Sequence, residues 1–257
     1  MASNDSIQKT ITVTLLLCIV CSVIVSTAAV LLRPAQVANK AVDFQRNILA
    51  AAGLLQEDVS IQEQFKAVTT KIVDLRTGKF TDEVDPEKFD QRKAAKHPTM
   101  SAEIGVGSDI AGLGRRANFA EVYLIDDGEG GNILILPVSG YGLWSTLYGF
   151  LALASDLNTV VGLGFYEHAE TPGLGGEIDN PDWKALWHGK KVYNEEGEVA
   201  LSVIKGSVGP QTSNSEYKVD GLSGATLTSR GVDNLIEFWM GEAGFKQFVQ
   251  NLKNGEA

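Results

Sequence analysis

The hydroxyl side chains of Ser223, Thr226, Thr228 and Ser229 crowd into the stretch Asp220-Gly221-Leu222-Ser223-Gly224-Ala225-Thr226-Leu227-Thr228-Ser229. A hydroxyl just ahead of a helix can cap it, accepting from the first free N–H groups. It can also be esterified. Gly221, Gly224 and Ala225 remove side-chain bulk, so a ligand could reach Thr226 along the backbone. A helical pattern begins near Leu227, and the free amides and dipole of such a terminus favour a phosphate. On this stretch alone, capping and phosphate binding both stand.

Other chemistries fail on spacing. Gly221-Leu222-Ser223-Gly224-Ala225 approaches the nucleophile elbow G-x-S-x-G, but Ala225 occupies the last glycine position. That fold also needs its acid and histidine after the serine, whereas His97, His168 and His188 all precede Ser223. A reversed order, with His168 ahead of Ser223, is the hydrolase arrangement that remains. The histidines are far apart, and no H-E-x-x-H pair or carboxylate cage occurs, so no metal site is expected. Gly105-Val106-Gly107-Ser108-Asp109-Ile110-Ala111-Gly112 lacks the G-x-G-x-x-G spacing, and G-K-[ST] is absent. No catalytic side-chain set emerges. Two more glycine-rich stretches do: residues 140–150 (GYGLWSTLYGF) and residues 167–178 (EHAETPGLGGEI). Each alone reads as a tight turn; three together suggest a shared concave surface.

The elements that would hold these stretches fall into an apolar segment and a globular body. Ile11–Leu32 carries no charge and would span about 33 Å as a helix, enough for a bilayer core. A cleavable signal has a shorter apolar region, and Val30-Leu31-Leu32 continue past the small residues at 26–29, so an uncleaved anchor is expected. Cys18 and Cys21 lie inside this run and read as small apolar fillers. Lys9 precedes the run while Arg33, Lys40 and Arg46 follow it, and counting basic residues puts the body on the cytoplasmic side. Large domains translocate largely regardless of such charge.

Residues 36–70 read as helical, broken at Gly53, and residues 77–99 as a loop or short solvated helix. Ala120–Ile125 and Ile133–Val138 read as strands joined by a polar, glycine-rich turn. Thr159–Tyr166 and Val199–Ile204 are further β-rich runs, and 227–240 and 243–252 keep helical spacing. Strands and helices do not strictly alternate. The expected class is α+β: one N-terminal transmembrane helix, then a soluble domain with an antiparallel sheet flanked by helices. The expected division is an anchor at 1–36, a helical connecting region packing on the body at 37–100, and the main domain at 101–257. Acidic residues outnumber basic ones, 32 to 22, for a net charge of -10, which argues against nucleic acid as a partner.

Ser223-Gly224-Ala225-Thr226, preceded by Asp220-Gly221 and followed by Leu227-Thr228, resembles the flavinylation motif of the FMN-binding domain family. Tyr141-Gly142-Leu143-Trp144 and Glu170-Thr171-Pro172-Gly173-Leu174-Gly175 resemble the same family. With the anchor and the length, the chain is similar to the singly anchored, FMN-carrying subunits of Na+-translocating NADH:quinone reductases. The paralogous FMN-carrying subunit of the Rnf complex shares motif and anchor, but its motif usually begins with Thr and its chain is shorter. The resemblance implies FMN joined by a phosphoester to Thr226 through a flavin transferase. It places Ser223, Gly224, Ala225, Leu227 and Thr228 around the attachment. It places Tyr141, Gly142, Leu143, Trp144, Glu170, Thr171, Gly173, Leu174 and Gly175 near the flavin. It further implies electron relay from NADH toward quinone coupled to Na+ export, beside other subunits of the complex and membrane lipid. The body would face the periplasm from a bacterial inner membrane, against the charge count. Such a carrier needs no acid or base of its own, because the cofactor supplies the electron chemistry. The competing reading is an anchored ligand-binding domain without redox function.

Overall fold

The structure, a computed structural model, describes residues 6–257; the start of the expected anchor region lies outside the described residues. The chain divides after Asp43 into two compact units. The first belongs to the long helix α1 (Ile7–Ala51). Its apolar run is solvent-exposed, and α1 is long and apolar enough to cross a membrane. The expected anchor helix ended near residue 32, yet α1 runs on through Pro34. Proline deprives Val30 of a helical N–H partner. Pro34 lies just past the apolar run, where water can satisfy that carbonyl, so the helix continues. It stops at Gly53, which takes φ +68 while Gly53 N–H donates to Ala50 and Leu54 N–H to Leu49, a Schellman ending.

The second unit begins with the last turns of α1. The remaining elements follow in order: α2 (Ile61–Phe65), β1 (Thr69–Asp74), β2 (Lys79–Phe80), α3 (Gln91–Lys96), β3 (Ser101–Glu103) and β4 (Arg115–Ala117). Next come β5 (Phe119–Asp126), β6 (Asn132–Tyr141), β7 (Thr146–Leu153), β8 (Val160–Glu167) and α4 (Pro181–Ala185). The chain ends with β9 (Ser202–Val203), β10 (Lys218–Val219), α5 (Thr226–Met240) and α6 (Lys246–Asn254). The main sheet is antiparallel with order β2-β1-β5-β6-β7-β8.

Both faces of this sheet are covered, so its central strands are apolar almost continuously. Along β6, Leu134, Leu136 and Val138 join Val232, Leu235 and Ile236 of α5 and Phe248 of α6 in one core. Ile133 and Ile135 face the other way, toward Ile48, Leu49 and Ala52 beside Tyr123 and Phe150. Pro137 is tolerated in β6 because β5 pairs only as far as Ile135, so Pro137 sits where that side of the ladder has ended.

Three segments differ from the sequence reading. The stretch read as helical to residue 70 ends at Ala51; after a loop and short α2, Thr69 opens β1, whose β-branched residues pair with β5. Val199–Ile204 supplies only the two-residue β9, paired parallel to β10. Residues 146–153, within a stretch noted for its glycines, form β7, full partner of β6.

Phe150 is fully buried, with the Phe44 and Tyr166 rings each 5.1 Å away and Tyr123 at 5.9 Å. Phe150→Ala should lower unfolding free energy by about 3–5 kcal/mol, the usual cost of such a cavity. Denaturant titration of the full chain in detergent should show the midpoint falling with little change in slope.

Candidate functional site

Thr226 is the first residue of α5, and the residue before it, Ala225 (φ -128, ψ 49), has no hydroxyl with which to cap. No acidic side chain occupies the first turn either. The neighbouring hydroxyls serve elsewhere. Ser229 Oγ accepts from Leu222 N–H at 2.9 Å, and Thr228 Oγ1 donates to Glu170 Oε2 at 2.6 Å. The plain capping reading of this run therefore does not describe α5, whose amide end has no side-chain cap. Ser223, Gly224, Thr226 and Leu227 are exposed.

The loop before Thr226 is fixed from behind. Asp220 accepts from Trp183 Nε1 with its carbonyl (2.8 Å) and from Val208 N–H with Oδ1 (2.8 Å). A Cβ at Gly221 would lie 2.3 Å from the Ile204 carbonyl oxygen, so only glycine fits. Gly224 takes φ +73, beside Leu174.

The second glycine-rich stretch is the tip of the β6–β7 hairpin. Tyr141 pairs with Thr146, and Gly142 N–H donates to the Ser145 carbonyl at 2.9 Å, closing a turn over 142–145. This tip comes against α5 at Gly231, where a Cβ would sit 2.5 Å from Tyr141 O and 2.9 Å from Gly142 Cα. The sequence reading misses Gly231; a glycine inside a helical pattern is the signal that could have found it.

The third stretch supplies Glu170, only 5% exposed. Its Oε1 accepts from the Leu143 and Trp144 N–H groups at 3.0 and 2.9 Å, while Oε2 holds Thr228. Burial raises the Glu170 pKa, but the Thr228 hydroxyl and the two amides outweigh it and hold the carboxyl below its ordinary value of 4.5. Gly142 and Gly175 are required here: a Cβ on either would approach a Glu170 carboxylate oxygen to 2.6 Å. Glu170 N–H donates to His168 Nδ1 (3.1 Å), which puts the ring proton on Nε2, donating to Asp179 Oδ2 at 2.7 Å. His168 thus steadies the loop. Thr171 O accepts from Leu174 and Gly176, and Gly173 takes φ +75 within that turn.

Contacts therefore join Gly142, Leu143, Trp144, Glu170, Gly175 and Thr228, and they bring Leu174 to Gly224. Thr171 and Gly173 shape their own turn, and Ser223 is exposed. Several apolar side chains of these three stretches are exposed: Trp144 at 64%, Leu227 at 53%, Tyr141 at 50%, with Leu143 and Leu174.

The FMN-binding domain family matches residues 142–241, a span that contains the Glu170 contacts and begins just after Tyr141. The chain is 53% identical to the Na+-translocating NADH-quinone reductase component NqrC of Pseudomonas aeruginosa over the whole of both chains. It is 46% identical to the corresponding NqrC of Yersinia pestis, covering 98% of this chain and 96% of that one. Among solved structures, Shewanella oneidensis NqrC superposes with TM-score 0.77 at 38% identity, covering 84% of this chain and 99% of that one. The counterpart from Parabacteroides distasonis gives TM-score 0.65 at 28% identity over 85% and 96%.

Because folding lowers the Glu170 pKa, its stabilising contribution is complete above the unfolded value near 4.5 and is lost as pH falls through the folded value. The melting-temperature gap between wild type and Glu170→Gln should be widest near neutral pH. It should close progressively below about pH 4.5 in parallel thermal melts.

Proposed function

Since the chain belongs to the NqrC family of Na+-translocating NADH-quinone reductases, an oxidoreductase complex, we propose that it holds FMN as a phosphoester on Thr226 and relays electrons within that complex. The observation that carries this reading is the start of α5: an exposed threonine at the first helical position, behind an alanine that cannot cap it.

Esterification would leave a phosphodiester with one negative charge. An uncapped helix start suits such a group, since its N–H groups lack side-chain acceptors and the dipole adds about 0.3–1 kcal/mol. Gly224, φ +73, gives the approach without a side chain in the way. The exposed rim of Tyr141, Leu143, Trp144, Leu174 and Leu227 suits a flat, largely apolar ring better than it suits water. The flavin would supply the electron chemistry; this chain's residues would bind its phosphate, shield one side of the ring and keep it at high local concentration through the tether. Glu170 has its oxygens committed to protein partners and Thr228 is buried, so neither hydroxyl nor carboxylate there competes with Thr226 as acceptor.

The electrons would come from NADH and go toward quinone, coupled to Na+ export through other subunits. A flavin transferase would make the Thr226 bond. Helix α1 would lie among lipid and neighbouring subunits as a single pass in a bacterial inner membrane, with the soluble body periplasmic. The FMN-binding part proper would be the region from residue 101 onward, with residues 37–100 a connecting region.

Coexpression with a flavin transferase should give wild-type chain heavier by one esterified FMN, and a yellow pellet after acid denaturation. Thr226→Ala should show the unmodified mass and a colourless pellet with the fold unchanged by circular dichroism. Covalent flavin on the Thr226→Ala chain would refute the assignment.

A further inference from the structure

The sequence resemblance puts Glu170 beside the flavin, as though it were a ligand. Its carboxylate is also fully engaged within the protein. Oε1 already accepts from two backbone amides, those of Leu143 and Trp144, and Oε2 accepts the Thr228 hydroxyl at 2.6 Å. The residue is nine-tenths or more buried, and Thr228 is fully buried. A Cβ at Gly142 or Gly175 would crowd that carboxylate, so glycine at both positions leaves room for it. Behind it, Glu170 N–H is held by His168, and His168 by Asp179. A further bond fixes the same loop: Ala169 N–H donates to Ser145 Oγ at 2.8 Å, tying it to the hairpin tip a second time.

We propose that Glu170 is a positioning residue that ties the 142–145 tip to the first turn of α5 through Thr228, and thereby sets the exposed Trp144 at a fixed separation from Thr226. The proposal rests on the assignment of Thr226 as the flavin attachment point only for its functional consequence; the tie itself exists in the flavin-free chain. Thr228 is two residues beyond Thr226, about 3 Å along the helix axis. Holding Thr228 therefore holds the acceptor. Losing the tie frees two amides and leaves one end of a buried hydrogen bond unmet, a local loosening rather than unfolding of the sheet.

The test uses the full chain in detergent as wild type, Glu170→Ala, Thr228→Val, Thr228→Ser and the Glu170→Ala/Thr228→Val double variant. Amide hydrogen exchange is first read in the flavin-free proteins. The Leu143 and Trp144 amides should exchange at least about tenfold faster in Glu170→Ala, while the amides of central β6 and β7 keep their wild-type rates. Covalent flavin per chain is then read after coexpression with limiting flavin transferase. Glu170→Ala and Thr228→Val should each load several-fold less than wild type, the double variant no less than the worse single one, and Thr228→Ser should recover most of the loss. Unchanged exchange at Leu143 and Trp144, or full loading of both single variants, overturns the proposal. Independent, additive losses also overturn it. If Glu170→Ala does not fold, the contrast between Thr228→Val and Thr228→Ser decides. A wild-type chain that takes up no covalent flavin refutes the flavin assignment instead, and the exchange data still judge the tie.

Discussion

Helix α5 lies so close to the end of β6 that glycine is required at two points of the contact. At Gly140 a Cβ would come within 2.6 Å of the Leu235 Cβ, and at Gly231 within 2.5 Å of the Tyr141 carbonyl oxygen. This close approach decides where the first turn of α5 can be. Leu235 and Ile236 fill the sheet face below it, so the helix can neither rise nor slide without opening the core. Thr226 is thus placed by packing, before any polar group is considered.

The polar contacts then refine what packing allows. A hairpin tip, a loop and a helix start that are remote in sequence meet at one carboxylate, which binds two amides and a hydroxyl with its own backbone held by an imidazole. A buried carboxylate is unfavourable unless it is so satisfied. The glycines follow from crowding of the same kind: at 142 and 175 they make room for an acid, at 221 and 231 they let backbone meet backbone, and at 224 glycine takes a left-handed φ beside Leu174. Glycine enrichment in these stretches records crowding as much as flexibility.

That distinction explains what could be read from the chain alone. The α+β class, the apolar helix, the β5–β6 hairpin and helices α5 and α6 follow from periodicity, which is local. The three site stretches were visible because small residues and hydroxyls are unusual in such density. The helical reading up to residue 70 failed because residues 69–74 owe their state to six cross-strand partners in β5 rather than to their neighbours in the chain. The Val199–Ile204 run failed for the opposite reason: its residues are apolar enough for a strand but find only two paired positions. The link between Glu170 and Thr228 spans 58 positions, and no spacing rule reaches across such an interval.

The four indoles are unevenly distributed. Trp183, Trp187 and Trp239 are at most 6% exposed, whereas Trp144 is 64% exposed at the hairpin tip. Three of these chromophores are therefore screened from solvent. The chain carries a built-in optical reporter: the red-emitting, quencher-sensitive part of its ultraviolet fluorescence originates at a single position, the hairpin tip whose amide binds Glu170.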